Sequence, residues 1–190
     1  MKFHESALAH HYLDGLRGLE IGGSAHNPFG LNTLNVDYTD DMATVYKKAE
    51  IEMCGEAMPV DIIAKGDCIP YHAKSVDFVI SSHVIEHFWD PIAALKEWAR
   101  IARRYIFIIA PQRDALESDR LKPLTPLHEL IARHNRTIPP PAFDTEHYTR
   151  WTCATFCEMC AHIGLNVIQT QDPDDKVGNG FTIVIQLPAA

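Results

Sequence analysis

The sequence lacks the features of a membrane-spanning, exported or nucleic-acid-coating protein. No apolar run approaches the roughly 20 residues that cross a bilayer, and the N-terminal stretch MKFHESALAHHYLDG has no apolar signal-peptide core. Positive charge is scarce: 17 Lys and Arg face 25 Asp and Glu, a formal net charge of −8, which disfavours binding to a long nucleic acid. The five cysteines are an odd number. Free thiols are therefore expected, and with them a soluble cytoplasmic protein.

What is present indicates one globular domain over residues 1–190, with 46% hydrophobic and 22% charged residues. Short apolar runs alternate with amphipathic stretches, which predicts a three-layer α/β sandwich with about seven strands. The predicted strands are residues 16–21, 33–36, 60–64, 76–81, 105–110, 165–170 and 181–187. The predicted helices are residues 3–13, 42–58 and 124–134, one that begins at Asp90-Pro91, and one from Thr152 to Gly164.

Small residues follow the first predicted strand. The segment LEIGGS puts Gly22, Gly23 and Ser24 where the strand turns outward, so that a ligand can approach the backbone. Asp37 ends the second predicted strand, where a carboxylate can accept hydrogen bonds from both hydroxyls of a ribose. A tight turn and a helix-capping aspartate are the alternative interpretation. The phosphate-binding pattern G-x-G-x-x-G is not present.

Six segments occur in the order and at the spacings of one enzyme family: LEIGGS, NVDY, KGDCIPY, VDFVISSHVIEHFWDP, YIFIIAP and EHYTRWTCATFCEMCAHIGL. On these segments residues 19–187 resemble the class I S-adenosylmethionine-dependent methyltransferases in their short, single-domain form (methyltransferase type 11-like). The resemblance implies a Rossmann-like fold whose sheet is mostly parallel with an antiparallel last strand. It also implies S-adenosylmethionine as cofactor, and an acceptor-side insertion at residues 111–150, after the fifth strand.

The resemblance further implies where the cofactor binds. The contacts it implies are Glu20, Gly22, Gly23, Ser24 and Ser81 for the methionine end, Asp37 for the ribose, and Asp67 and Cys68 for the adenine. Where the family has alternating glycines, this loop continues with Ser24 and His26. The geometry of the loop is therefore expected to differ from that of the family.

The string His83-x-x-Glu86-His87 follows the fourth predicted strand. On a helix beginning near Ser82 these three side chains would share one face, where two imidazoles and a carboxylate can chelate a divalent ion. The string also matches the H-x-x-E-H signature of zinc hydrolases with Glu86 as base, so a hydrolase is an alternative function. That signature belongs within a helix of a protease scaffold, which favours the methyltransferase.

The resemblance extends to a metal-assisted variety of the family. Magnesium-dependent O-methyltransferases of small RNAs and of ubiquinone synthesis carry Glu, Glu and His on the equivalent helix, and a later His. Here Glu86 and His87 match the second Glu and the His, His147 stands at the position of the later His, and His83 replaces the first Glu. Three imidazoles and one carboxylate would favour zinc, iron, nickel or manganese over magnesium. Without a metal, the three histidines are candidate catalytic bases.

The acceptor is expected to be a small molecule methylated at a hydroxyl oxygen, with an amine as the alternative. Residues 111–150 mix arginines with proline, histidine and aromatic residues, which suits either an anionic or hydroxylated ligand or a solvated surface. The altered first loop leaves open a second function, a module that binds the cofactor without turnover. Cys153, Cys157 and Cys160 have the spacing of an iron–sulfur motif, but they fall on a predicted helix, which favours packing.

Overall fold

One sheet of seven strands organises the molecule, whose computed structural model describes residues 1–142 and 147–188. Residues 143–146 of the predicted acceptor-side insertion, and residues 189–190, lie outside the described residues. The strands are β1 (Gly18–Ile21), β2 (Thr33–Asp37), β3 (Ile62–Ile63), β4 (Val76–Ser82), β5 (Ala102–Pro111), β6 (Asn166–Gln171) and β7 (Gly180–Gln186). Their order is β3-β2-β1-β4-β5-β7-β6. The sheet is parallel from β3 to β5, and β7 runs antiparallel to both neighbours. The predicted α/β fold is confirmed.

The strand order reverses between β1 and β4. Strand β1 pairs with β2 on one side and with β4 on the other, and Ile21 lies opposite Ser81 in the register of the second pair. Ligands of open α/β sheets bind beyond the carboxyl ends of the strands at such a reversal. The residues that follow Ile21 and Ser81 therefore occupy the position where a binding site is expected.

Five α-helices flank the sheet in the described residues: α1 (Ala7–Leu13), α2 (Val45–Cys54), α3 (Pro91–Ile101), α4 (Leu127–His134) and α5 (Cys153–His162). Local capping sets two of these starts where the sequence predicts them. The Asp90 carboxylate accepts from the N–H of Ala93 at 2.9 Å, and the Thr152 hydroxyl accepts from the N–H of Thr155 at 3.3 Å. None of the helices in the described part of the chain has the length and hydropathy that a bilayer crossing requires.

Two apolar cores cover the two faces of the sheet. On one face Ile21 and Val79 pack with Trp98 of α3 and Phe156 of α5. The opposite core combines Ala9 and Leu13 of α1 with residues of the loop after β1 and of the sheet: Phe29, Phe78, Ile80, Phe107, Ile109 and Val184. Cys160 belongs to the first core and is fully buried. Burial raises the pKa of the Cys160 thiol to about 12, so it remains a protonated packing residue.

Turns connect β1 to β2. Residues 22–32, all of them described, contain no helical segment. Phe29 instead packs edge-on against Phe107, with ring centroids 6.2 Å apart. The short connection uses one aromatic side chain, together with α1, to cover this face of the sheet.

The sequence predicts a helix that places His83, Glu86 and His87 on one face, and this prediction is wrong. Residues Ile85–His87 form a single 3-10 turn, and His83 has a φ of 55°. This left-handed conformation does not propagate a right-handed helix. The helical H-x-x-E-H arrangement of a zinc hydrolase is therefore not formed.

Candidate active site

The loop after β1 passes very close to neighbouring side chains. Gly22 has a φ of 64°, and its N–H donates to the carbonyl of Val36 at 2.8 Å. A Cβ built on Gly22 would lie 2.7 Å from Cγ2 of Val84, and one on Gly23 would lie 2.7 Å from Sδ of Met58. Backbone conformation and packing thus account for Gly22, and packing accounts for Gly23.

Side chains of β2 and α2 hold this loop. The N–H of Gly23 donates to Oδ1 of Asn35 at 2.9 Å, and the N–H of Ala25 donates to the Glu50 carboxylate. Glu50 is also paired with Lys47, whose Nζ lies 3.1 Å from Oε2 of Glu50, and both side chains are buried. Although burial opposes it, hydrogen bonds from backbone N–H groups and from Lys47 hold the pKa of Glu50 below its usual value. Contacts with side chains of β2 and α2 therefore order the loop after β1.

The predicted ribose and adenine contacts lie near the surface. Asp37 is half-buried at the end of β2, and its Oδ1 accepts from the N–H of Tyr38 at 2.7 Å. Burial raises the pKa of the Asp37 carboxyl. Asp67 and Cys68 are exposed on a turn closed by the N–H of Cys68, which donates to the carbonyl of Lys65 at 2.9 Å. A ligand can reach all three predicted contacts.

Two other predicted contacts lie beneath the surface. Glu20 is 5% exposed, and its carboxylate accepts from the hydroxyl of Thr33 at 3.2 Å. Burial raises the pKa of Glu20 to about 7. Ser81 is fully buried, and its hydroxyl has no hydrogen-bond partner among the described residues. The side chains of Glu20 and Ser81 are therefore enclosed by the protein in this conformation.

Both ring nitrogens of His83 have partners away from Glu86. Its Nε2 donates to Oδ1 of Asn179 at 2.9 Å, and its Nδ1 accepts from the hydroxyl of Ser82 at 3.1 Å. The Ser82 hydroxyl in turn accepts from Nδ2 of Asn27 at 3.1 Å. Burial lowers the pKa of His83. The hydrogen bonds to Asn179 and Ser82 therefore hold His83 away from Glu86. The structure does not bring His83 into a metal or base site with Glu86.

Glu86, His87 and His147 converge beyond β4. One ligand atom from each lies within 4.8 Å of the others, with Oε1 of Glu86 3.8 Å from Nε2 of His147 and 4.0 Å from Nε2 of His87. Glu86 is fully buried, and neither of its carboxylate oxygens has a hydrogen-bond partner among the described residues. Burial raises the pKa of Glu86 to about 8. A buried carboxylate that faces two imidazoles can be satisfied by a cation, either a proton or a metal ion.

Hydrogen bonds fix the segment of His147 to the turn of Glu86. The N–H of Tyr148 donates to the Glu86 carbonyl at 2.9 Å. Arg133 of α4 donates to the Tyr148 carbonyl at 3.1 Å, and its guanidinium lies 4.1 Å from the centroid of the Trp89 ring. Helix α4 thus holds together two segments that are distant in sequence.

The loop after β1 adjoins this cluster. Gly22 packs against Val84, whose carbonyl accepts from the N–H of His87 at 3.0 Å. From α2, the ring of Tyr46 lies 5.9 Å from the ring of His87, measured between centroids. The His87 side chain is 30% exposed, so it is the member of the cluster that a ligand in solution can reach most readily.

Sequence reasoning missed Asp119. Its Oδ2 lies 2.5 Å from Nδ1 of His147, and the side chain is nearly buried. Asp119 falls within residues 111–150, where no hydrophobic periodicity distinguishes one acidic residue from another. No signal in this single sequence could have found it.

Part of the chain matches a known protein family. Residues 21–108 match the family described as a methyltransferase domain. That range begins at the last residue of β1 and contains β2 to β4, α2, α3 and most of β5. The resemblance to class I S-adenosylmethionine-dependent methyltransferases is confirmed by this match and by the fold.

Individual proteins are similar to this chain in sequence or in fold. The chain is 33% identical over 101 residues to an uncharacterised protein of Methanocaldococcus jannaschii, and the match spans 52% of this chain and 44% of that relative. A methyltransferase described as S-adenosylmethionine-dependent, from Methanosarcina mazei, has the same fold, with a TM-score of 0.60, 14% identity and coverage of 100% of both chains. Magnesium protoporphyrin IX methyltransferase of Synechocystis, solved with S-adenosylhomocysteine, has a TM-score of 0.53 and 14% identity, with 95% and 78% of the two chains covered.

Proposed function

We propose that this chain transfers a methyl group from S-adenosylmethionine to a hydroxyl oxygen of a small molecule. The observation that carries the proposal is the contact of Gly22 with Val84, which joins the predicted cofactor loop to the turn of Glu86 and His87. Methyl transfer requires the nucleophile, methyl carbon and sulfur to be aligned, so the cofactor and the acceptor groups must adjoin. The matched residues 21–108 contain both parts.

The cofactor would lie across the carboxyl ends of β1 and β2. The half-buried Asp37 would accept hydrogen bonds from the ribose hydroxyls, and the adenine would lie against the turn of Asp67 and Cys68. The methionine end would meet the backbone of Gly22 to Ser24. The side chains of Glu20 and Ser81 would support that backbone from below, because both are buried.

The acceptor hydroxyl must lose a proton as its oxygen bonds to the methyl carbon. We propose that Glu86, His87 and His147 hold a divalent cation, because the unpartnered carboxylate of Glu86 and two imidazoles converge there. One carboxylate and two imidazoles suit zinc, iron or manganese better than magnesium. A bound cation would lower the pKa of a hydroxyl that coordinates it. Without a cation, the partly exposed His87 would be the base that an acceptor in solution can reach.

The acceptor is proposed to be small. Residues 111–150, the proposed acceptor-side insertion, contribute His147 to the cluster. The net charge of −8 disfavours a long nucleic acid as the acceptor.

One observation favours a second candidate, a module that binds the cofactor without turnover. Donors of the loop after β1 are already used, because Gly23 donates to Asn35 and Ala25 donates to Glu50. In open α/β sheets such a loop commonly offers its N–H groups to the ligand. With these donors engaged, a cofactor bound through its ribose and adenine would lack the alignment of the methyl group that transfer requires. Turnover separates the two candidates.

Calorimetry with S-adenosylmethionine and S-adenosylhomocysteine tests cofactor binding. Asp37→Ala should weaken the binding of both by about 1–3 kcal/mol, because it removes charge-assisted hydrogen bonds to the ribose. Asp40→Ala, at an exposed acid three positions further along the chain, is the matched control. An unchanged affinity of Asp37→Ala would show that the ribose lies elsewhere.

An assay of S-adenosylhomocysteine release tests catalysis. The acceptors would be phenols, catechols and sugars, each with chelator and with added Zn²⁺ or Mn²⁺. Turnover that chelation abolishes and metal restores supports the metal-assisted enzyme. Turnover that persists in chelator removes the metal from the proposal. Cofactor binding with no turnover on any acceptor supports the module, and absence of binding overturns both candidates.

A further inference from the structure

A nearly buried carboxylate lies behind His147. Asp119 is 3% exposed, and its Oδ2 lies 2.5 Å from Nδ1 of His147. Because an ionised carboxylate can only accept, His147 donates this bond through its Nδ1–H. In the neutral imidazole the other ring nitrogen, Nε2, then carries the lone pair, and it lies 3.8 Å from Oε1 of Glu86.

This tautomer makes acceptors converge. When Glu86 is ionised, its carboxylate and Nε2 of His147 both present lone pairs, and Nε2 of His87 lies 4.0 Å from the same carboxylate oxygen. Acceptors at such distances repel one another unless a cation lies between them. The orientation of the His147 ring therefore decides whether the cluster offers three ligand atoms or two.

Two cationic side chains compensate the charge of Asp119. Nζ of Lys122 lies 3.5 Å from Oδ1 of Asp119, and Nη1 of Arg150 lies 3.7 Å from the same atom. Arg150 also donates to the carbonyl of His147 at 2.9 Å. The Arg150 guanidinium thus contacts both the Asp119 carboxylate and the backbone carbonyl of His147. These contacts keep Asp119 and His147 aligned.

We propose that Asp119 is a positioning residue that fixes His147 in the tautomer and orientation that bind a divalent cation through Nε2. The proposal rests on the metal-assisted function proposed above and deepens it. Histidine ligands of metals commonly donate their second ring N–H to a carboxylate, and loss of that carboxylate lowers metal affinity by about 10–100-fold. Asp119 reaches the cluster through its hydrogen bond with His147.

The tautomer of His147 is measured on the metal-free full chain. Long-range proton–nitrogen NMR reports which ring nitrogen carries the hydrogen, and His147→Gln assigns the signal. We expect Nδ1–H in the natural chain and loss of that preference in Asp119→Ala. An Nε2–H tautomer in the natural chain would overturn the proposal.

Metal affinity is measured with Zn²⁺ against a chromophoric chelator. We expect a 10–100-fold loss in Asp119→Ala and a smaller loss in the isosteric Asp119→Asn, which keeps an acceptor and guards against misfolding. Asp114→Asn, at an exposed acid of the same segment, is the control and should match the natural chain. Equal Zn²⁺ affinity in the natural chain and both Asp119 variants would overturn the proposal.

The affinity of each variant for S-adenosylhomocysteine keeps this result separate from the proposed function. An affinity unchanged by Asp119→Ala shows that the variant is folded and that the loss is confined to the metal site. A natural chain that binds S-adenosylhomocysteine but not Zn²⁺ overturns the positioning role and leaves methyl transfer standing. A natural chain that binds Zn²⁺ but neither cofactor refutes the proposed function, while the Zn²⁺ comparison still decides the role of Asp119.

Discussion

Breaking the buried ion pair of Lys47 and Glu50 should destabilise the protein and loosen the loop after β1. The two side chains are 3% and 2% exposed, and Nζ of Lys47 also donates to the carbonyl of Met58 at 2.9 Å. The Glu50 carboxylate accepts from the N–H groups of Ala25 and Met58. Glu50 therefore ties together α2, the loop after β1 and the segment before β3.

The magnitude follows from the burial of both charges. Lys47→Met keeps most of the side-chain volume but leaves Glu50 as an uncompensated buried charge, which costs about 3–5 kcal/mol. For a chain of this size, the melting temperature should fall by roughly 6–20 °C. The double variant Lys47→Met/Glu50→Gln should regain part of the loss, because Gln can still accept from the backbone and no charge is left unpaired.

Denaturant unfolding followed by circular dichroism measures the free energy of unfolding of each variant. Lys48→Met is the matched control, because Lys48 is exposed on the same helix and should change stability by less than about 0.5 kcal/mol. A loss below about 1 kcal/mol for Lys47→Met, or an equal loss for Lys48→Met, would refute the reasoning.

Two further predictions concern strand β1 and the loop that follows it. Glu20 has a pKa raised by burial from its ordinary 4.5 to about 7; its contribution to stability is therefore present below pH 4.5 and is lost as the pH rises through 7. Between pH 5 and pH 8 the free energy of unfolding of the natural chain should fall by about 2–3 kcal/mol relative to Glu20→Gln, and a constant difference would contradict the assignment. Gly22→Ala should cost about 2–4 kcal/mol, from left-handed backbone strain and from crowding against Val84. Adding Val84→Ala should recover the crowding part, and a double variant no more stable than Gly22→Ala would show that strain alone is responsible.

Local sequence signals predicted most of the fold. Asp90 followed by Pro91 fixed the start of α3, and Thr152 fixed the start of α5, because a cap depends only on residues within one turn. The predicted helix over residues 42–58 is shorter in the structure, Val45–Cys54, since Thr44 caps its start and Gly55 adopts a left-handed φ of 85° at its end. Strand β3 shrinks to Ile62–Ile63, at the edge of the sheet where only one neighbour pairs with it.

The candidate site was only partly predictable. Glu86, His87 and His147 were all identified from the sequence, and they do come together. His83 was grouped with them on the assumption of a helix, but its left-handed φ and its bonds to Asn179 and Ser82 hold it apart. A spacing of three or four residues brings side chains together only when the intervening backbone is helical.

The sequence by itself determined the succession of strands and helices along the chain, the capping residues, and the small and acidic residues at the ends of β1 and β2. These follow from contacts between near neighbours and from periodic burial. Only the tertiary structure decided that Asp119 lies behind His147 and that Lys47 and Glu50 hold the loop after β1. The contacts of Asp119 with His147 and of Glu50 with Ala25 join residues from separate segments, and chain spacing carries no information about which segments pack together. The geometry of these contacts is set when the helices and loops pack against the two faces of the sheet.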